Sequence, residues 1–127
     1  MVEGRLVLVV DDVDDNRAMY TELLELEGFR AIEADDGMQA LAVARKEIPD
    51  AIIMDIGLPS IDGIEATRML RADEVTRSIV VIALSGHGSE VEARALAAGV
   101  DGFLRKPCFP HEIVALLRTL LDARLPR

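Results

Sequence analysis

"RLVLVVDDVDDNR", residues 5–17, joins five apolar residues, Leu6 to Val10, to four aspartates, Asp11, Asp12, Asp14 and Asp15. An unbroken Val/Leu run of this length fits a strand buried on both faces, as in a parallel sheet covered by helices. Carboxylates gathered at the end of such a strand repel one another and lose hydration, so the cluster is unfavourable unless a cation or a donor offsets it. The stretch predicts a buried strand and a functional site at its carboxyl end.

Outward from this stretch the alternation continues. Apolar runs recur around Ala31–Ala34 and at Ala51–Met54, Ile79–Leu84 and Gly102–Leu104, with helical periodicity between them. Met19, Leu23 and Leu26 share one expected helix face, stopped by Gly28, and Asp14 or Asp15 is the expected cap of that helix. Asp36 with Gln39 and Asp62 with Glu65 have capping-box spacing, and Pro49 ends the helix between them. Ser89 with Glu92 has the same spacing before an alanine-rich helix stopped by Gly99. Pro110 introduces a last helix carrying Ile113, Leu116, Leu117, Leu120 and Leu121.

This (βα)5 alternation predicts an α/β fold, a doubly wound five-stranded parallel sheet with right-handed crossovers and strand order 2-1-3-4-5. Ligands of such sheets bind beyond the carboxyl ends of the strands, at the switch point between the first and third. The residues expected there are Asp11 and Asp12 after the first strand, Asp55 after the third, Ser85 after the fourth and Lys106 after the fifth. Three carboxylates with a hydroxyl and an ammonium form an oxygen-lined site suited to Mg²⁺ or Mn²⁺. A phosphoryl group could then share its oxygens among the cation, Lys106 and Ser85, with Asp55 placed as nucleophile.

Composition narrows the classes. The 127 residues fit one domain, expected over residues 1–127 with its core at about 5–122, and only four of them are aromatic. A net charge of −9 argues against direct nucleic-acid binding, which needs clustered Lys and Arg. The single cysteine, Cys108, excludes an internal disulfide and a Cys-rich metal site. No apolar run approaches the roughly 20 residues of a membrane span, so a cytoplasmic protein with no membrane contact is expected.

Three other sites fail on their residues. Asp12, Asp14 and Asn16 alternate as in an EF-hand loop, but Arg17 stands where its glycine belongs and Leu23 where its glutamate belongs. A flavodoxin phosphate loop would be rich in hydroxyls and glycine, where this chain has aspartates. A haloacid dehalogenase-type phosphatase places its nucleophile on the first strand in a D-x-D-x-[TV] motif, which "DDVDDN" lacks.

Four segments together resemble the receiver domains of two-component response regulators: "VVDDVDDNR", "IIMDIGLPSIDG", "VIALSG" and "GFLRKP". The resemblance runs over essentially the whole chain and implies the flavodoxin-like receiver fold. It further implies that Asp55 accepts phosphate from a histidine kinase or a histidine phosphotransfer protein. Asp12, Asp55 and the Gly57 carbonyl would ligate Mg²⁺, with Asp11 acting through water. Lys106 would pair with the phosphate, the peptide before Pro107 would be cis, and Ser85 and Phe103 would form the switch. The fourth helix, fifth strand and fifth helix would then present a face to a downstream protein effector. Such a chain is a self-phosphorylating and self-dephosphorylating switch rather than a turnover enzyme on an external substrate. The alternatives are a docking module of the same fold that ignores phosphorylation, or a receiver cut from a hybrid histidine kinase. Departures from the commonest pattern are Ser85 for Thr and Leu58 for Met; Gly57 and His87 occupy variable positions that help set phosphate lifetime.

Overall fold

Five strands and five helices alternate in the computed structural model, which describes residues 4–124. The outermost residues of the expected domain, 1–3 and 125–127, lie outside the described residues. The elements are β1 (Leu6–Val10), α1 (Asp14–Leu26), β2 (Arg30–Ala34), α2 (Gly37–Glu47), β3 (Ala51–Asp55), α3 (Gly63–Ala72), β4 (Val80–Ser85), α4 (Ser89–Ala98), β5 (Gly102–Arg105) and α5 (Pro110–Ala123). The strands form one sheet in the order β2-β1-β3-β4-β5 with every pairing parallel, as the alternation predicts.

Side chains alternate across the strands, so the unbroken apolar runs feed two cores. Leu8, Val10, Ile52, Met54, Val81 and Ala83 pack with Ala40, Ile64, Leu70 and Ala95, beneath α2, α3 and α4. Val7, Val9, Ile53, Ile82 and Leu84 pack on the other face with Tyr20 and Leu24 of α1 and Ile113, Leu117 and Leu121 of α5. Residues 7–10 of β1 are at most 1% exposed, which accounts for the absence of polar residues in that run.

Asp36 and Asp62 cap α2 and α3 as expected, accepting the Gln39 and Glu65 N–H groups at 2.8 Å. Gln39 Oε1 reaches back to the Asp35 N–H at 2.6 Å instead of to the capping residue itself. Two caps differ from the sequence expectation. Helix α1 is capped by Val13 without a side-chain hydrogen bond, because Asp14 and Asp15 already lie inside its first turn. There they face the positive end of the helix dipole, which favours them without capping geometry. Likewise Gly88 caps α4, and Ser89 is its first helical residue, one position too late to cap. The buried stripe of α1 is also rotated from the expected one. Tyr20 and Leu24 are buried and Leu23 is half-buried, whereas Met19 and Leu26 are 45% and 80% exposed.

Two close approaches fix the loops. A Cβ on Gly63 would lie 2.7 Å from the Asp55 carbonyl oxygen and 3.0 Å from Ile56 Cα, so α3 starts directly against the end of β3. At the opposite edge of the sheet Gly99 ends α4 at φ +111°, a conformation that suits glycine. Its carbonyl accepts Arg71 Nε at 2.9 Å. The same guanidinium donates to the Arg77 and Ile79 carbonyls and to Asp101, whose carboxylate also accepts the Val81 N–H. One partly buried arginine thus ties α3, β4 and the α4–β5 turn together. Replacing it with methionine strands several of these acceptors. Urea unfolding of Arg71→Met is expected to show a loss of about 2 kcal/mol. Arg68→Met, which breaks only an exposed pair with Glu65, should leave the curve unchanged.

Candidate active site

The carboxyl ends of β1, β3, β4 and β5 bring the expected residues to one edge. Asp11 follows β1 directly and is held to β2 by its N–H on the Ala34 carbonyl, 3.2 Å away. Its side chain is buried, with Oδ1 accepting the Val13 N–H at 2.8 Å. Oδ2 is the one buried side-chain oxygen or nitrogen among the described residues with no hydrogen-bond partner. Asp12, next in the turn, is exposed.

Asp55 ends β3. Its Oδ1 accepts the Gly57 N–H at 3.1 Å, and its Oδ2 accepts Lys106 Nζ at 2.9 Å. Asp11, Asp12 and Asp55 each place one carboxylate oxygen within 4.8 Å of the others. Burial raises the carboxyl pKa of Asp11 above its ordinary value; the Val13 N–H opposes this, and the Asp55 charge adds to it. For the Lys106 ammonium burial works downward, but the hydrogen bond and charge of Asp55 and the charge of Asp11 outweigh it, so the net shift is upward. Lys106 is therefore a firmly protonated cation inside an anionic cluster.

The remaining expected residues surround this centre. Lys106 donates its backbone N–H to the Ser85 carbonyl at 2.8 Å, and the Lys106–Pro107 peptide is cis. Ser85 is 2% exposed and its Oγ accepts the His87 N–H at 3.0 Å, so the hydroxyl is engaged in the β4–α4 turn. Phe103 is half-buried against the core that holds α4. Gly57 is exposed beside Asp55, and a Cβ there would meet nothing closer than Asp55 Oδ1 at 3.9 Å. Burial pushes the Cys108 thiol up, away from a reactive thiolate.

Arg17 also belongs to this neighbourhood and was not among the residues singled out from the sequence. Its guanidinium donates to the Asp11 carbonyl at 2.8 Å, to Asp14 at 2.6 Å and to Glu33 at 3.0 Å. The available signal was its place in the first turn of the helix that follows the acidic pair. A cleft of about 500 Å³ opens at the opposite edge of the sheet, lined by Arg71, Arg77, Asp101 and Arg124 among others, and is remote from these carboxylates.

Comparison with known proteins agrees with this geometry. Residues 7–118 match the model of the response regulator receiver domain family. The chain is 39% identical over 119 residues to the phosphate regulon transcriptional regulatory protein PhoB of Pseudomonas aeruginosa, covering 93% of this chain and 52% of PhoB. It therefore spans about half the length of that relative. It is 33% identical over 116 residues to the polar-differentiation response regulator DivK of Brucella ovis, covering 91% of this chain and 94% of DivK. Among solved structures, the receiver domain of a Pseudomonas aeruginosa PAO1 sensor histidine kinase superposes with a TM-score of 0.87 at 33% identity, over 94% of this chain and 99% of that one. That receiver was solved with a magnesium ion coordinated in its active-site cleft. No helix among the described residues is long and apolar enough to cross a membrane. The fold, the strand-end carboxylates and the family match converge: this chain belongs to the response regulator receiver domains of two-component signalling.

Proposed function

We propose that this chain is a phosphorylation-driven switch in which Asp55 accepts a phosphoryl group from a phosphohistidine on a histidine kinase or histidine phosphotransfer protein. The observation that carries the reading is the meeting of Asp11, Asp12 and Asp55 within 4.8 Å, with the Lys106 ammonium on Asp55 Oδ2. A hard divalent cation, Mg²⁺ or Mn²⁺, fits this donor set, because a buried Asp11 oxygen lacks any partner and three carboxylates outnumber one ammonium. Asp12, Asp55 and the Gly57 carbonyl would hold it, with Asp11 acting through water. When bound, the cation neutralises the carboxylates and stabilises charge on the phosphoryl oxygens.

In the transfer, an Asp55 oxygen forms a bond to phosphorus as the phosphorus–nitrogen bond to the donor imidazole breaks. The bonding pair returns to that imidazole, which leaves as histidine. Lys106 passes its hydrogen bond from Asp55 to a phosphoryl oxygen, and Ser85 leaves the His87 N–H to reach another. Phe103 moves with Ser85, biasing α4, β5 and α5 toward the arrangement that docks a downstream protein. The open space at Gly57 leaves the acyl phosphate accessible to the water that ends the signal.

Intact-mass spectrometry with acetyl phosphate is the direct check. A single phosphate adduct is expected, dependent on Mg²⁺ and absent in Asp55→Asn. Folded, Mg²⁺-bound protein that takes no phosphate from acetyl phosphate or from a phosphohistidine donor would instead indicate a docking module that ignores phosphorylation.

Stability provides a second check. Because the Asp11 pKa is raised in the folded chain, the folded state holds that proton more tightly than the unfolded one. Without Mg²⁺ this contribution is present below the ordinary aspartate value and is lost as pH rises through the raised one. At neutral pH the metal-free protein therefore carries an unfavourable charge that Asp11→Asn removes, so its melting temperature should rise. Mg²⁺ at ten times its Kd should stabilise the wild type by about 1.4 kcal/mol, and should stabilise Asp11→Asn much less.

A further inference from the structure

Arg17 is placed where the turn carrying the acidic pair could be set. It stands in the first turn of α1, and its side chain is only 14% exposed despite its charge. Three groups from three places share its guanidinium: the Asp11 backbone carbonyl, the Asp14 carboxylate of the same helix, and the Glu33 carboxylate on β2. Glu33 is held in turn by the Thr21 hydroxyl, 3.0 Å from its second oxygen. The Asp11 N–H is tied to Ala34, the neighbour of Glu33. Both backbone polar groups of Asp11 are thus fixed to the β2 side, one directly and one through Arg17.

This matters because the Asp11 and Asp12 carboxylates are driven apart from Asp55 by like charge, and a turn free to relax would relax that way. A planar guanidinium reaches a carbonyl and two carboxylates from three separate nitrogens at fixed angles, whereas the three donors of an ammonium all sit on one nitrogen.

We infer that Arg17 is the positioning residue of the acidic pair: by bridging the Asp11 carbonyl, Asp14 and Glu33 it fixes the turn that keeps the Asp11 and Asp12 carboxylates beside Asp55. The inference rests on the proposed cation site and says which residue preorganises it. None of the Arg17 hydrogen bonds goes to a carboxylate oxygen of Asp11, Asp12 or Asp55. Partners that orient ligands in this way commonly contribute ten- to a hundredfold to metal affinity.

Charge and geometry predict opposite results, so they can be separated. Losing a positive charge beside three carboxylates would by itself tighten cation binding, whereas losing the fork loosens the turn. The experiment is Mg²⁺ titration by calorimetry on the whole chain, together with the melting temperature of each variant without metal. Arg17→Lys keeps the charge and loses the fork; its Kd for Mg²⁺ is expected to rise about tenfold. Arg17→Met is expected to weaken binding as well, in spite of the lost charge. Glu33→Asp keeps its charge and shortens the arm that holds Arg17, on an exposed side chain that folding tolerates, and is expected to raise the Kd by about threefold, a smaller effect than the ten- to a hundredfold typical of outer-shell changes.

An unchanged Kd in folded Arg17→Lys and Glu33→Asp, or tighter binding in Arg17→Met, would overturn the inference. Lower melting temperatures with the same Kd would assign Arg17 to fold stability alone and overturn it too. If wild type itself binds no Mg²⁺, the proposed cation site fails first, and that outcome is distinct from a wild type that binds and variants that match it.

Discussion

An excess of negative charge at the end of a buried strand is the constraint on which the site depends. Asp11 and Asp55 approach within 4.8 Å, a repulsion of about 3 kcal/mol at an effective dielectric constant of about 20. Lys106 relieves part of it through Asp55, and the Val13 N–H relieves another part through Asp11. Burial adds to it: one Asp11 oxygen has no partner, and the Asp11 pKa is raised first by lost hydration and then by the Asp55 charge. Such an arrangement survives only when the surrounding fold is rigid enough to resist separating the charges.

The sheet supplies that rigidity. Val7 to Val10 are buried on both faces, with Leu8 and Val10 locked into one core and Val7 and Val9 into the other. A slip of β1 would move every one of these side chains to the wrong layer. The register that results places Val10 opposite both Ala34 and Met54, so the turn after β1 begins beside the ends of β2 and β3. The Asp55 end is pinned as well, because α3 starts against its carbonyl at Gly63, where no side chain fits. Arg71 closes the other edge, away from the site, while Lys106 and Arg17 bridge elements at the carboxyl end.

The sequence disclosed this architecture because its signals are local and periodic. Each strand lies within one residue of an apolar run, and the glycine and proline stops of three helices, at Gly28, Pro49 and Gly99, fall where they were expected. The site was legible for a different reason: once the alternation sets the topology, the strand ends must meet, and Asp11, Asp12, Asp55, Ser85 and Lys106 stand there. What escaped was one-residue detail. Helices α1 and α4 each begin earlier than their expected capping residues suggested, by one or two residues in α1 and one in α4, with Val13 and Gly88 in extended backbone as the caps. The buried face of α1 was misread because Tyr20, a residue with a polar tip, is buried in preference to Met19. Arg17 escaped because its partners, Glu33 and the Asp11 carbonyl, come together only through tertiary pairing of β1 with β2.

Under the proposed function, the same charge arithmetic explains why the switch extends beyond Asp55. Converting a carboxylate to an acyl phosphate adds roughly one further negative charge and three strong acceptor oxygens to a place already anionic. A divalent cation and one ammonium leave acceptor capacity over, which a hydroxyl at a neighbouring strand end could take up. Ser85 meets that description: it is buried, and its Oγ now only accepts, from the His87 N–H, so its proton is free to be given elsewhere. Turning Oγ to aim that proton at the phosphoryl group takes its lone pair off the His87 N–H and loosens the turn that joins β4 to α4. Local demand for a donor at the end of β3 would thereby become a rearrangement at the start of α4. Phe103, half-buried against the core beneath α4, is the side chain that the proposed switch would carry along with that turn.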